Sequence, residues 1–185
     1  MPMALYTPWM MAGPGSEDEL MVAAFCQQCG EGTTERPIEG RPRPVCGSCG
    51  AVTYLDPKLA VAVVIQRGRE LLLGRRGPRS REAGKWSFPA GFVERGKAVE
   101  DAAVREVREE VGLEVEIGPL IGLYSRQGET VVLAVYAAAA ARGEPVAADD
   151  LDAAGWFPVA ALPPLAFPHD TRIIADWRRW RDATP

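Results

Sequence analysis

The spacing of apolar positions changes period several times along the chain. Leu59 to Ile65 is an unbroken apolar run rich in valine, the pattern of a buried strand. Gln66-Arg67-Gly68-Arg69 reads as a turn, and Glu70 to Leu73 as the returning hairpin partner. From about Ala98 to Val111 the period becomes helical. No proline interrupts it, Ala, Val, Arg and Glu dominate, and Gly112 stands where a helix closes. Val104, Val107 and Val111 cluster on one side, which predicts a core-facing edge. Leu113 to Val115, Gly118 to Tyr124 and Thr130 to Ala138 return to strand composition, before Gly143-Glu144-Pro145 breaks the run. Leu162 to Pro168 is a proline-rich, rigid connector. Thr171 to Arg181 is helical again, with Ile173, Ile174, Trp177 and Trp180 at helical spacing. That stripe reads as packing or a homodimer surface in preference to a ligand stack. His169, just before it, reads as a cap or surface residue. Met1 to Ala24 has no clean period and reads as a flexible extension, with Met21 as an alternative start. Asp56-Pro57 marks a boundary. The expected organisation is an extension over 1–24, a small module over 25–55, a main domain over 56–168 and an amphipathic helix over 169–185.

Totals narrow the class. A chain of 185 residues suits one ordinary domain plus a small module, and 47% hydrophobic with 25% charged residues is ordinary for a globular protein. The net charge of −4 argues against general nucleic-acid binding. No run long enough to span a membrane is present, and the N-terminus lacks the basic and apolar regions of a signal peptide. A cytoplasmic location without membrane partners is therefore expected.

All four cysteines lie in the small module, as Cys26-Gln-Gln-Cys29-Gly30 and Cys46-Gly-Ser-Cys49-Gly50. Each knuckle is followed by a glycine that permits the turn aiming backbone amides at thiolate sulfur. Two matched knuckles suit a closed tetrahedral Zn²⁺ site better than disulfides or a redox pair. A module this small has little core, so the metal supplies its folding free energy. Its role is read as structural, with a nucleic-acid contact as the lesser alternative.

The helix carries the second chemistry. At about 100° per residue, Glu106, Glu109 and Glu110 fall within roughly 100° of one another. Three like charges so placed repel, and a hard divalent cation such as Mg²⁺ or Mn²⁺ is the simplest counter-charge. A solvated acidic face laced with Arg105 and Arg108 is the bland alternative. Ala102 and Ala103 are expected to leave room for a bulky ligand. Arginines between Gly74 and Lys85, including Arg75 and Arg76, suit phosphate, since the guanidinium fork binds two oxygens; a solvated loop is the competing reading.

The order Gly91, five residues, position 97, seven residues, then Arg105-Glu106-Val107-Arg108-Glu109-Glu110-Val111-Gly112-Leu113 resembles the signature of the Nudix hydrolases. Trp86, Phe88 and Pro89 match the family's lead-in, while Ala90 replaces a common glycine. The resemblance covers about Phe25 to Pro168. It implies an α/β fold, an α/β/α sandwich around a mixed sheet preceded by a small zinc ribbon. It also implies hydrolysis of a pyrophosphate in a nucleoside diphosphate linked to another moiety. In that reading Glu106, Glu109 and Glu110 hold Mg²⁺ or Mn²⁺, Arg105 orients the carboxylates, and Glu109 or Asp150 takes the water proton. The acidic residue often found shortly before the domain's tryptophan is Ala153 here. Lys97 departs from the family, which has a glutamate there that pairs with the arginine matching Arg105. This departure motivates a rival reading as a nucleotide-binding sensor or scaffold; a zinc-ribbon nucleic-acid module is a second rival. The NADH pyrophosphatases carry a Ser-Gln-Pro-Trp-Pro-Phe-Pro motif after the box, where this chain reads Tyr124-Ser-Arg-Gln-Gly128. The chain is closer to shorter members acting on ADP-ribose, and the expected substrate order is ADP-ribose, then FAD, then NADH.

Overall fold

The computed structural model describes residues 24–183. The extension expected over 1–24 and the Met21 alternative lie outside these residues, apart from Ala24. Two compact units divide at Pro57/Lys58.

In the first unit, β1 (Thr33–Ile38) and β2 (Arg41–Cys46) form an antiparallel hairpin, from Thr33 opposite Cys46 to Ile38 opposite Arg41. The two-residue turn Glu39-Gly40 has φ of 51° and 76°, which matches the right-handed twist of the strands.

The second unit holds β3 (Lys58–Val64), β4 (Gln66–Arg67), β5 (Glu70–Arg76), β6 (Trp86–Ser87), β7 (Ala90–Phe92), α1 (Val99–Val111), β8 (Glu114–Tyr124), β9 (Val131–Arg142), β10 (Leu151–Pro158) and α2 (Asp170–Ala183). One sheet runs β7-β3-β9-β8 and is mixed, since β3 and β9 are parallel and the other pairs antiparallel. The other runs β10-β5-β4, with β6 also on β5. A strand covered on both faces reads as a continuous apolar run, which explains Leu59 to Ile65. Ala60, Ala62 and Val64 join Leu71, Leu73, Phe88, Ile173, Ile174 and Trp177 in one core cluster. Val61, Val63 and Ile65 join Leu72, Ala103, Val107, Val111 and Leu113 in a second. Successive side chains of a strand point to opposite faces, so α1 and α2 cover opposite faces of the β-structure. The apolar stripe of α2 is packing: Ile173 and Trp177 are buried in the core.

Several local expectations need correction. Glu70–Leu73 does return as a hairpin partner, antiparallel to Gln66–Arg67 and with the Leu72 amide on the Ile65 carbonyl, but it lies in the sheet of β10 and not beside β3, because the chain changes sheets at Ile65. Arg75 and Arg76 extend β5 and are not in a loop. β9 continues through the alanine run to Arg142, held by its ladder to β8 despite weak intrinsic strand preference. Leu113–Val115 and Gly118–Tyr124 belong to one strand with register shifts around Gly118, where an added Cβ would lie 2.9 Å from the Ala137 carbonyl oxygen. On α1, Val104 faces solvent while Ala102 and Ala103 are buried. The alanines therefore give the helix a close approach to the β-structure and leave no space for a ligand there.

Candidate active site

β7 brings the glycine loop beside α1. Ala60, Val61 and Ala62 of β3 stand opposite Phe92, Gly91 and Ala90. A Cβ on Gly91 would lie 2.0 Å from Cδ of Glu106 and 2.1–2.2 Å from its oxygens. The glycine is thus required by a carboxylate packed against bare backbone. One residue earlier, the Ala90 amide donates to Oε2 of Glu110 at 2.9 Å. Glu100 and Asp101 in the first turn and Arg108 in the last complement the dipole of α1. Gly112 ends it at φ 68°, donating to the Arg108 carbonyl.

The three glutamates differ in setting. Glu106 and Glu110 are buried, whereas the Glu109 side chain is 45% exposed. Arg105 donates to Oε1 of Glu106 at 2.5 Å, to Oε2 of Glu109 at 2.7 Å and to the Phe92 carbonyl at 3.0 Å. Burial raises the Glu106 pKa, and the neighbouring Arg105 only partly offsets it. Burial likewise pushes Glu110 up to about 8, against the Ala90 hydrogen bond, with the Glu106 charge adding to the rise. Three carboxylates share one helix edge, two of them buried without enough positive charge, which is the donor type a hard divalent cation takes; among the described residues their oxygens do not converge as closely as the four cysteine sulfurs do. Lys97 is exposed and, among the described residues, joins no ion pair. Arg105, whose family partner at position 97 is a lysine here, is taken up by Glu106 and Glu109 on its own helix. Glu100, in the first turn of α1, accepts from the Tyr136 hydroxyl at 3.0 Å.

The loop before β10 docks on the end of α1, with the Val146 amide on the Val111 carbonyl and the Ala148 amide on that of Glu110. Asp149, at φ 53°, is the member of the acidic pair whose charge acts on both Glu106 and Glu110. The backbone carbonyl of Asp150 accepts from the Gly77 amide and the Ser80 hydroxyl. The two members of the acidic pair differ in backbone conformation, Asp149 alone having a positive φ. Arg75 is tied to Asp152 at 2.6 Å, two residues C-terminal to Asp150. Arg76 donates to the Arg81 carbonyl, lies 5.1 Å from the Phe167 ring centre, and its charge acts on Glu110 and on Asp170. Asp170 had no signal in the sequence beyond its place at a helix start. It is 2% exposed, accepts from the Phe167 amide at 2.9 Å, and burial pushes it up to about 6. His169 stacks on Phe167 with ring centres 5.3 Å apart.

In the first unit the sulfurs of Cys26, Cys29, Cys46 and Cys49 all lie within 4.8 Å of one another. Three of the separations are 3.5–3.7 Å. Thiolates on a tetrahedral Zn²⁺ at 2.3 Å stand about 3.8 Å apart, so the four are spaced for that ion and are not disulfides. The Gln28 amide points at the Cys26 sulfur and the Cys49 amide at that of Cys46. The Cys49 amide, followed by that of Ser48, lowers the Cys46 pKa to about 6, which favours the ligating thiolate.

Two family models match in succession. Residues 24–55 fit the Nudix N-terminal zinc-ribbon family and residues 56–177 the NUDIX domain. The chain belongs to the Nudix hydrolases, a family of pyrophosphohydrolases, in the group with an N-terminal zinc ribbon. An ADP-ribose pyrophosphatase from Methanocaldococcus jannaschii is 38% identical over 133 residues, covering 70% of this chain and 78% of that protein. The NAD-capped RNA hydrolase NudC of Pseudomonas aeruginosa is 38% identical over 143 residues, 76% of this chain. This chain spans only 50% of NudC's length. A solved NUDIX hydrolase from Nitrosomonas europaea superposes with a TM-score of 0.76 at 28% identity, covering 86% of this chain and 91% of its own. Among the described residues no helix is long and apolar enough to cross a membrane.

Proposed function

We propose that the chain hydrolyses the pyrophosphate of ADP-ribose, with FAD and NADH as weaker substrates, using Mg²⁺ or Mn²⁺ held by Glu106, Glu109 and Glu110. The observation that carries this reading is the buried pair Glu106 and Glu110, pressed against Gly91 and the Ala90 amide, with the more exposed Glu109 beside them. Held there, such a cation would supply charge to neutralise the diphosphate and would lower the pKa of the attacking water. Arg105 holds Glu106 and Glu109 in register through its two donors. Glu109, the most accessible of the three, and a member of the Asp149-Asp150 pair are the carboxylates proposed to accept the water proton, with Asp149 favoured over Asp150 because its charge acts on Glu106 and Glu110. Arg76 is the better phosphate ligand of the two arginines, because Arg75 is occupied by Asp152.

A cleft of about 630 Å³ is lined by Lys85, Phe167, Thr171 and Arg178 among others. Arg76 lies 5.1 Å from the ring of Phe167, which lines the cleft, and its charge acts on Glu110. We assign this cleft to the moiety beyond the pyrophosphate. The ADP-ribose preference draws on the name of the Methanocaldococcus relative and on the absence of the NADH-pyrophosphatase motif at Tyr124–Gly128.

The test is release of phosphatase-sensitive monoesters from ADP-ribose, FAD, NADH and dinucleoside polyphosphates, with Mg²⁺, Mn²⁺ or neither. Metal-dependent cleavage led by ADP-ribose is expected. No cleavage by folded, zinc-loaded protein, together with tight nucleotide binding, would refute the enzyme reading and favour the sensor that Lys97 suggests.

A further inference from the structure

The hairpin of the first unit sorts its charges by face. Residues directly opposite in an antiparallel pair share a face, and alternate residues along each strand share it too. The register puts Arg36 opposite Arg43 and Ile38 opposite Arg41, so all three arginines occupy one face. Glu35 lies opposite Pro44 on the other face, with Pro37 and Pro42. These arginines are the only basic side chains between residues 24 and 57.

Like charges directly opposite in a ladder are unfavourable, and here no carboxylate relieves them. Among the described residues none of the three forms an ion pair. Arg43 is the most constrained. Its guanidinium lies 4.5 Å from the centre of the Tyr54 ring, and its Nε is buried without a hydrogen-bond partner. Tyr54 itself is 52% exposed. Arg41 and Arg43 are two residues apart on one strand, roughly 7 Å along it. The face therefore offers a short row of guanidiniums with unused donors beside an open aromatic ring.

We propose that this face binds single-stranded nucleic acid, with Arg36, Arg41 and Arg43 on successive phosphates and Tyr54 stacking a base. Guanidinium forks match phosphate oxygens, and a ring beside them adds a stacking surface that any base can use. The ring is what favours a nucleic acid over an anionic membrane, since stacking on it serves any base, while the one partly exposed apolar side chain of the hairpin on this face, Ile38, is half-buried. The overall charge of −4 does not oppose this, because the arginine face is local and Glu35 points away from it. The proposal is independent of the hydrolytic reading, whose residues all lie in the other unit.

The experiment is fluorescence anisotropy of the full-length, zinc-loaded protein. The probes are a short labelled RNA with a 5′-hydroxyl end, the same sequence as DNA, and phosphatidylserine vesicles, each titrated across a salt series. Neutralising three phosphates of a single strand gives a slope of about −2 in log K against log salt. Arg36→Gln and Arg43→Gln are each expected to reduce that slope by about 0.7. Tyr54→Ala is expected to weaken binding about tenfold with little change of slope. Glu35→Gln on the opposite face should leave the slope unaltered. Zinc content and ADP-ribose turnover are read on every variant. Should Arg43→Gln lose zinc, the exposed Arg36→Gln decides the matter alone. Stronger RNA than DNA binding would identify the strand type. Absence of binding at low salt, a slope unmoved by Arg36→Gln, or tighter binding to vesicles than to RNA would overturn the proposal.

Discussion

Replacing Gly91 by alanine separates the fold from the chemistry. The added Cβ would lie 2.0–2.2 Å from the Glu106 carboxylate, whereas non-bonded carbon contacts settle near 3.5 Å, so that carboxylate must withdraw by about 1.5 Å. The obstacle is the end of a side chain, and rotating it off its preferred angle costs about 0.5–1.5 kcal/mol. Loosening the Arg105 bond to Glu106, which is half lost if Arg105 follows, adds a further cost of about 1 kcal/mol. Stability should therefore fall by about 1–3 kcal/mol, which leaves the protein folded. Activity should suffer far more, because a displacement of about 1 Å at a reacting centre costs on the order of 100-fold. The assays are urea unfolding, Mn²⁺ binding followed by electron paramagnetic resonance, and ADP-ribose turnover. The expected pattern is small destabilisation, weakened Mn²⁺ binding and a rate down about 100-fold. Turnover within a factor of about three of wild type, with Mn²⁺ affinity intact, would refute the claim that Gly91 fixes the Glu106 carboxylate for cation binding.

Four further outcomes follow from the geometry. Lys97→Glu should draw Arg105 away from Glu109 and free that carboxylate, tightening Mn²⁺ binding and raising turnover about twofold; exposed pairs of this kind differ by only about 0.5 kcal/mol, so a larger gain would mean a more direct metal role. No gain in either measure would show that Lys97 does not limit the site. Asp149→Asn should lower turnover at least tenfold while Asp150→Asn leaves it near wild type, and the reverse order would return the role to Asp150. Asp170 sits at about 6 when folded against 3.8 ordinarily, so it destabilises as pH rises through that window and not below it. Asp170→Asn should match wild type near pH 3.5 and exceed it by up to about 3 kcal/mol at pH 8, measured by urea unfolding; equal stability across the range would sink the assignment. Cys46→Ser should lose stoichiometric zinc and the ribbon's ordered amides in hydrogen exchange, while retained zinc would argue against a four-thiolate site.

Much of this protein is legible in the sequence because the relevant forces are local. Helix α1 ends at Gly112 because a left-handed residue is needed there, and glycine adopts it without strain. The glutamates share an edge because helical periodicity puts them there. The cysteine knuckles meet because each is a short turn closed by a glycine, and four soft ligands at that spacing leave few alternatives. Other features depend on what the chain folds against. Val104 and Ala103 have similar apolar character, yet only Ala103 is buried, because close approach of α1 to the β-structure selects the smaller side chain. The alanine run of β9 is a strand because β8 pairs with it. Asp149 and Asp150 are indistinguishable as neighbouring letters. Asp149 adopts a left-handed backbone and its loop docks on α1 through the Val146 and Ala148 amides, neither of which can be read from the letters. Arg105 finds its partners on its own helix and not at position 97, and Arg75 is claimed by Asp152, a residue 77 positions away. Motif spacing thus determines the family, the carboxylate edge and the zinc ligands. Only tertiary structure assigns each charge its partner, since ion pairing and burial depend on distances that the order of residues does not contain.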